Sequence, residues 1–266
     1  MAMQNGLQCG APPIVVGGVG GSGTRVIAAL LRGAGVFIGD ELNDALDNMR
    51  LTALFPSTRQ RLRALAANQR PPGKACADYI LKFDDDIEQF FRDRMRAFER
   101  EMLSAFERQT ECRAAWGWKG PPSFNFLELF QRHLGPFRYI HVVRHGVDMA
   151  FSSNQNQVVN WGWRYGLAPD PSPANALRYW VCANRQAVFD ARRLGIDVLV
   201  INFDHMCADP MRGVGELLSF INIECSERTR LADLVQTPGS IGRRGDFDLA
   251  FVDDDAREAL AEFGFA

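Results

Sequence analysis

Apolar residues along this chain follow two rhythms. Short β-branched or aromatic runs at 13–16, 36–38, 114–118, 138–143 and 197–203 predict buried strands. Between them, apolar positions recurring every three or four residues predict helices over 26–32, 57–68, 84–108 and 174–194. Shorter helices are expected from Glu41 through Arg50, from a Ser123 cap to His133, and from Asp209-Pro210 to about Phe220. Ile87, Phe90, Phe91, Met95, Phe98, Met102 and Phe106 form an aromatic stripe at helical spacing, which predicts core rather than a ligand box. Loops are expected at Arg70-Pro71-Pro72-Gly73 and over 237–248, with helices and strands alternating between and beyond them to the end. Residues 154–173 are polar and carry Trp161, Trp163 and Tyr165 among glycines and prolines, the composition of a partly exposed loop over a pocket, a candidate lid. With no internal repeat and no linker, the pattern predicts one α/β domain over 1–266, with 1–12 as a flexible tail. Its architecture is three layers on a mostly parallel sheet, with ligands at the carboxyl ends of the strands.

The first strand runs into five glycines between Gly17 and Gly23, and a helical pattern follows at once. Glycines let the backbone turn at positive φ and bring its N–H groups close to an anion, and the helix N-terminus adds its dipole. Gly20, Gly21, Ser22, Gly23, Thr24 and Arg25 are therefore candidate phosphate-binding residues, with hydroxyl donors at Ser22 and Thr24. Gly18-x-x-x-x-Gly23 has the spacing of a nucleotide-binding P-loop, but Thr24 occupies the place of its lysine.

Composition narrows the function classes. A net charge of −2 gives no footprint for nucleic acid or an anionic membrane, so any anion site is local. Arginines outnumber lysines 27 to three, which singles out Lys74, Lys82 and Lys119 for inspection. The six cysteines form no C-x-x-C pair, and the four histidines show no metal-ligand spacing with them. The expectation is free thiols, no metal, and a soluble cytoplasmic protein without signal peptide or membrane span.

The fourth predicted strand ends at Arg144-His145-Gly146-Val147-Asp148-Met149-Ala150-Phe151-Ser152. A guanidinium at a strand's carboxyl edge, with a hydroxyl two helical turns later, suits a phosphate dianion. Taken with the glycine loop, this resembles the sulfotransferase family, nearest in motif style to its tyrosyl-protein and bacterial members. Trp118-Lys119-Gly120-Pro121 is similar to the family's Lys-x-Pro segment, and 201–210 to its strand, acidic pair and Asp-Pro turn. Gly242-Arg243-Arg244-Gly245-Asp246-Phe247 is similar to its late basic-glycine loop. The resemblance implies a P-loop-type fold and 3′-phosphoadenosine 5′-phosphosulfate as sulfuryl donor. It also implies that Arg144, Ser152, Arg243 and Arg244 bind the 3′-phosphate, and that the acceptor is a small-molecule, carbohydrate or peptide hydroxyl.

Gly21 departs from that pattern, since many sulfotransferases place a sulfuryl-contacting lysine or arginine there. The transition-state charge still needs a cation, and Lys119 and Arg25 are the candidates. The acceptor proton needs a base, for which the resemblance points to Glu41, with His145 or His141 as stand-ins and Asp40 and Asp44 as neighbouring acids. Two alternatives stay open at this stage. Val198–Asp204 has the form of an apolar strand ending in a metal-binding aspartate, as in a P-loop kinase or NTPase. A nucleotide-binding regulator that lost activity with Gly21 is the other.

Overall fold

A computed structural model describes residues 12–69, 81–109 and 115–265. The expected tail over 1–12, apart from residue 12, and the loop at 70–73 lie outside the described residues. Among the described residues five strands form one all-parallel sheet: β1 (Ile14–Gly18), β2 (Val36–Phe37), β3 (Ala115–Lys119), β4 (Arg138–Val143) and β5 (Asp197–Asn202), in the order β2-β3-β1-β4-β5. Period-two alternation divides each strand between two cores. Ile14 and Val16 face one of them with Ile140, Val142 and α1 (Thr24–Gly33), while Val15, Trp118 and Tyr139 face the other. The result is the expected three-layer α/β fold.

The first core is closed by α10 (Pro210–Ile221), and the second by α4 (Asp85–Glu107), α5 (Leu127–Leu134) and α8 (Pro173–Arg193). Asp84 caps α4 by accepting the Ile87 N–H at 2.9 Å, and Asp85, Asp86 and Glu88 complement the helix dipole in its first turn. Most of the aromatic stripe is core as expected, with Phe91, Met95, Phe98 and Met102 buried. Phe90 is the exception, half-buried beneath the guanidinium groups of Arg61 and Arg94.

Four expectations fail for local reasons. The helix expected from Glu41 to Arg50 is instead a loop followed by the four-residue α2 (Met49–Thr52). Asn43 Oδ1 accepts the backbone N–H groups of Ala45 and Asp47, Leu46 sits at φ 60°, and buried Asn48 bonds both the Leu51 N–H and the Ile38 carbonyl. These short side chains offer the backbone partners that compete with helical bonds. Ser123 caps nothing: Pro121–Phe126 is a 3₁₀ turn ahead of α5, and the Ser123 hydroxyl is buried without a partner.

The lid expected at 154–173 contains α7 (Asn156–Trp161) and a 3₁₀ turn over Gly162–Tyr165, with Trp161 and Tyr165 buried. Trp161 meets Phe126 edge to face at 5.4 Å, so this tryptophan belongs to the core. Beyond β5 no further strand occurs among the described residues. The remaining apolar positions, such as Ala256, Ala259 and Leu260 in α12 (Asp254–Glu262), repeat at helical spacing.

The thiol expectation holds for Cys207 and Cys225, which are free, whereas Cys182 is disulfide-bonded. No helix among the described residues is long and apolar enough to cross a membrane.

Candidate active site

Because every strand is parallel, their carboxyl ends gather the candidate residues on one edge of the sheet. β1 leads into the glycine loop, where Ser22 N–H bonds the Val19 carbonyl at 3.0 Å and Gly23 stands at φ 99° as the cap of α1. A Cβ on Gly23 would lie 2.5 Å from the Phe203 ring, so backbone angle and packing both require glycine there. Above Gly21 the space is open, with only Met149 Cε within reach of an added Cβ, at 3.9 Å. Gly21 itself has φ 93°, a region where a lysine or arginine would be strained. Ser22 Oγ is buried without a partner among the described residues, and Thr24 is buried beside it. A hydroxyl donor with no protein acceptor, beneath a turn of backbone amides, suits an anion.

β3 lies beside β1 with Val16 opposite Lys119. Lys119 is 2% exposed, and its ammonium donates to Asp47 Oδ1 at 2.6 Å and to the Ala45 carbonyl at 3.0 Å. An ammonium has three donors, so one is left for a ligand. Burial lowers the Lys119 pKa, opposed by the bond to Asp47 and assisted by repulsion from Arg25, which is exposed at the start of α1. The Asp47–Lys119 pair was not anticipated, because the two residues lie 72 positions apart.

Glu41 follows β2 in the 40–48 loop with its side chain 58% exposed, bonded to Arg50 Nη2 at 2.7 Å. The same guanidinium meets Asp40 at 3.3 Å and Glu101 at 2.8 Å. Asp40 is thus an arm of an ion-pair cluster rather than a helix-start acid.

β4 delivers Arg144, whose Nη2 donates to Ser240 Oγ at 2.7 Å and whose Nη1 reaches the Gly21 carbonyl at 3.4 Å. Its Nε is buried and has no partner among the described residues, and burial lowers the Arg144 pKa. The short α6 (Gly146–Ala150) carries fully buried Asp148, whose carboxylate accepts the N–H groups of Gly242 and Arg244 at 2.7 and 2.8 Å and Arg244 Nη1 at 3.1 Å. One carboxylate therefore fastens the late basic loop against α6. Arg243 donates to the Phe151 carbonyl at 3.1 Å, next to Ser152, whose hydroxyl is held by the Asn154 N–H at 3.2 Å. Arg144, Ser152 and Arg243 are thus brought around one short helix, while Arg244 commits its backbone N–H and Nη1 to Asp148.

His141 is enclosed, whereas His145 lines a pocket with Arg244 and Leu260. His141 is buried between Tyr139 Oη and Asn184 Oδ1; because Asn184 Nδ2 donates to the Trp180 carbonyl, its Oδ1 accepts from His141 Nε2, leaving Nδ1 to accept from Tyr139. His145 Nδ1 accepts the Val147 N–H at 3.3 Å and its ring packs on Phe265. Burial pushes each imidazole down to about 4 from an ordinary 6.5. Both are therefore neutral at pH 7, and between pH 6.5 and about 4 the unfolded chain binds more protons than the folded one. Stability should fall with pH through that window by about 1.4 kcal/mol per unit for each histidine. Denaturation midpoints at pH 7 and pH 5 test this: the drop should be smaller in His145→Gln, and an equal drop in the two proteins would contradict it.

Asp204, the metal ligand of a kinase reading, accepts the His145 N–H at 3.2 Å, and burial raises its pKa. Among the described residues no group of three His, Cys, Asp or Glu side chains stands together to hold a metal ion.

Comparison with known proteins adds a family to this geometry. A model of the sulfotransferase family matches residues 12–227. The fold is similar to the sulfotransferase domain of the Synechococcus PCC 7002 olefin synthase, with a TM-score of 0.57 at 16% identity over 96% of this chain and 95% of that one. It is also similar to a sulfotransferase domain from the curacin biosynthetic pathway, with a TM-score of 0.53 at 12% identity over 96% and 99%. No curated protein sequence matches the chain.

Proposed function

From the premise that the chain belongs to the sulfotransferase family and transfers sulfuryl groups, we propose that its donor is 3′-phosphoadenosine 5′-phosphosulfate and its acceptor a small-molecule, carbohydrate or peptide hydroxyl. In this reading the acceptor oxygen attacks sulfur in line, the O–S bond forms as the bridging S–O bond to the 5′-phosphate breaks, and the acceptor proton passes to a carboxylate. The glycine loop from Gly20 to Thr24 cradles the 5′-phosphosulfate, with Ser22 Oγ as the side-chain donor. Arg25, exposed at the loop's edge, adds charge. Lys119 offers its third N–H to the sulfuryl oxygens, which gain charge as the bond breaks.

At the other end, Arg144, Ser152 and Arg243 bind the 3′-phosphate, and Arg244 keeps the basic loop closed through Asp148. Glu41 takes the acceptor proton. Asp47, in the same loop and already bonded to Lys119, is a second acid that the tests below separate from it. A cytoplasmic location belongs to this reading, supported by the scattered spacing of the cysteines and opposed by the disulfide at Cys182.

The observation that carries the reading is the buried Nε of Arg144, without a partner among the described residues, with Arg243 near enough to repel the guanidinium. A charged group held out of water without a full set of partners costs stability unless a ligand supplies one. Arg144→Ala is expected to weaken adenosine 3′,5′-bisphosphate binding by about ten- to a hundredfold, the loss of a charge-assisted bond. Unchanged affinity in a folded variant would sink the assignment.

A further inference from the structure

The Gly21 position leaves the sulfuryl end of the donor without the side chain that the family often places there, and a neighbouring element reaches over the glycine before it, Gly20. Gln157, on α7, lies over the loop: a Cβ built on Gly20 would sit 3.5 Å from Gln157 Cγ and 3.6 Å from its Nε2. Gly20 is not at positive φ, so its backbone conformation does not demand glycine. What the missing side chain provides is direct access of the Gln157 amide to the loop. Tyr179, fully buried on α8, donates its hydroxyl to Gln157 Oε1 at 3.4 Å. Since an amide oxygen accepts and its nitrogen donates, this bond turns Nε2 toward Gly20. Among the described residues Nε2 has no acceptor of its own. The loop thus faces a neutral, oriented donor carried by another element.

We propose that Gln157 is a donor-substrate-binding residue whose Nε2 donates to the sulfuryl oxygens of 3′-phosphoadenosine 5′-phosphosulfate above Gly20 and Gly21. The proposal rests on the donor reading given above. A carboxamide supplies a directed hydrogen bond without a full charge, so in this site Lys119 carries the charge and Gln157 the orientation. Because the amide addresses the sulfuryl group, its loss is felt with the donor and not with the desulfated product, which retains both phosphates.

The test compares wild type, Gln157→Leu, Gln157→Glu and Tyr179→Phe in two measurements: calorimetric affinity for adenosine 3′,5′-bisphosphate, and kcat/KM for the donor. Gln157→Leu should keep the bisphosphate affinity and lose about ten- to a hundredfold in kcat/KM. Gln157→Glu, the same shape with a negative charge toward the sulfuryl oxygens, should lose more, and Tyr179→Phe less. If Gln157→Leu does not fold, Gln157→Glu carries the comparison. Wild-type kcat/KM in Gln157→Leu, or an equal loss of bisphosphate affinity and kcat/KM, overturns the assignment. A wild-type protein that neither binds the bisphosphate nor turns over the donor overturns the donor reading itself, and this proposal with it.

Discussion

Glu41→Gln is expected to lower turnover by about 10²–10⁴-fold, the usual contribution of a positioned base, while donor-product affinity and stability stay near wild type. Glutamine keeps the shape of the side chain and removes only its capacity to take a proton. The carboxylate is well supplied with a resting partner but loosely held, since Arg50 also bonds Asp40 and Glu101 and remains paired when Glu41 leaves it for the acceptor. An exposed pair of this kind contributes about 0–1 kcal/mol, so exchanging it for a substrate hydroxyl costs little. Steady-state kinetics beside a denaturation curve check the expectation. Normal turnover in Glu41→Gln, with a large loss in Asp47→Asn, would move the proton acceptor to Asp47.

Lys119→Ala is expected to cut turnover by about 10²–10³-fold, as when a transition-state charge partner is lost, with modest change in donor-product binding. The variant also breaks a buried ion pair, for which a cost of about 3–5 kcal/mol is typical, and it releases the Ala45 carbonyl of the loop that carries Glu41. Asp47→Asn separates the two effects. It dissolves the same pair while leaving the ammonium in place, so it should loosen the loop and lose far less turnover than Lys119→Ala. Equal losses in the two variants would make Lys119 a tether for the loop rather than a contact of the sulfuryl group. If Lys119→Ala turns over normally and Arg25→Ala does not, the charge belongs to Arg25.

Much of the fold is legible in the chain because strands buried on both faces appear as unbroken β-branched runs. Arg138–Val143 is an observed strand at its expected bounds, and the glycine loop follows β1 directly. The 40–48 loop was not legible as a loop. Its apolar spacing mimics a helix, and only the structure shows Asn43 and Asn48 capturing the backbone. The Arg144–Ser152 segment could be read from spacing along one short helix, a local property. The pairings Asp47–Lys119 and Asp148–Arg244 could not, since no local pattern links residues 72 and 96 positions apart. The position of Gln157 is not legible for the same reason: it comes from α7 folding back over Gly20, and the surrounding polar stretch has the composition of an ordinary loop.

In the proposed reading the phosphate loop and the Arg144 cluster together hold a 3′-phosphorylated adenine nucleotide. Calorimetric titration of the wild-type protein with adenosine 3′,5′-bisphosphate in the presence of a chelator, and separately with ATP and Mg²⁺, tests it most directly. Saturable one-to-one binding of the bisphosphate is expected without Mg²⁺, with much weaker binding of ATP, which lacks the 3′-phosphate. Tight, Mg²⁺-dependent ATP binding with no heat from the bisphosphate would contradict it.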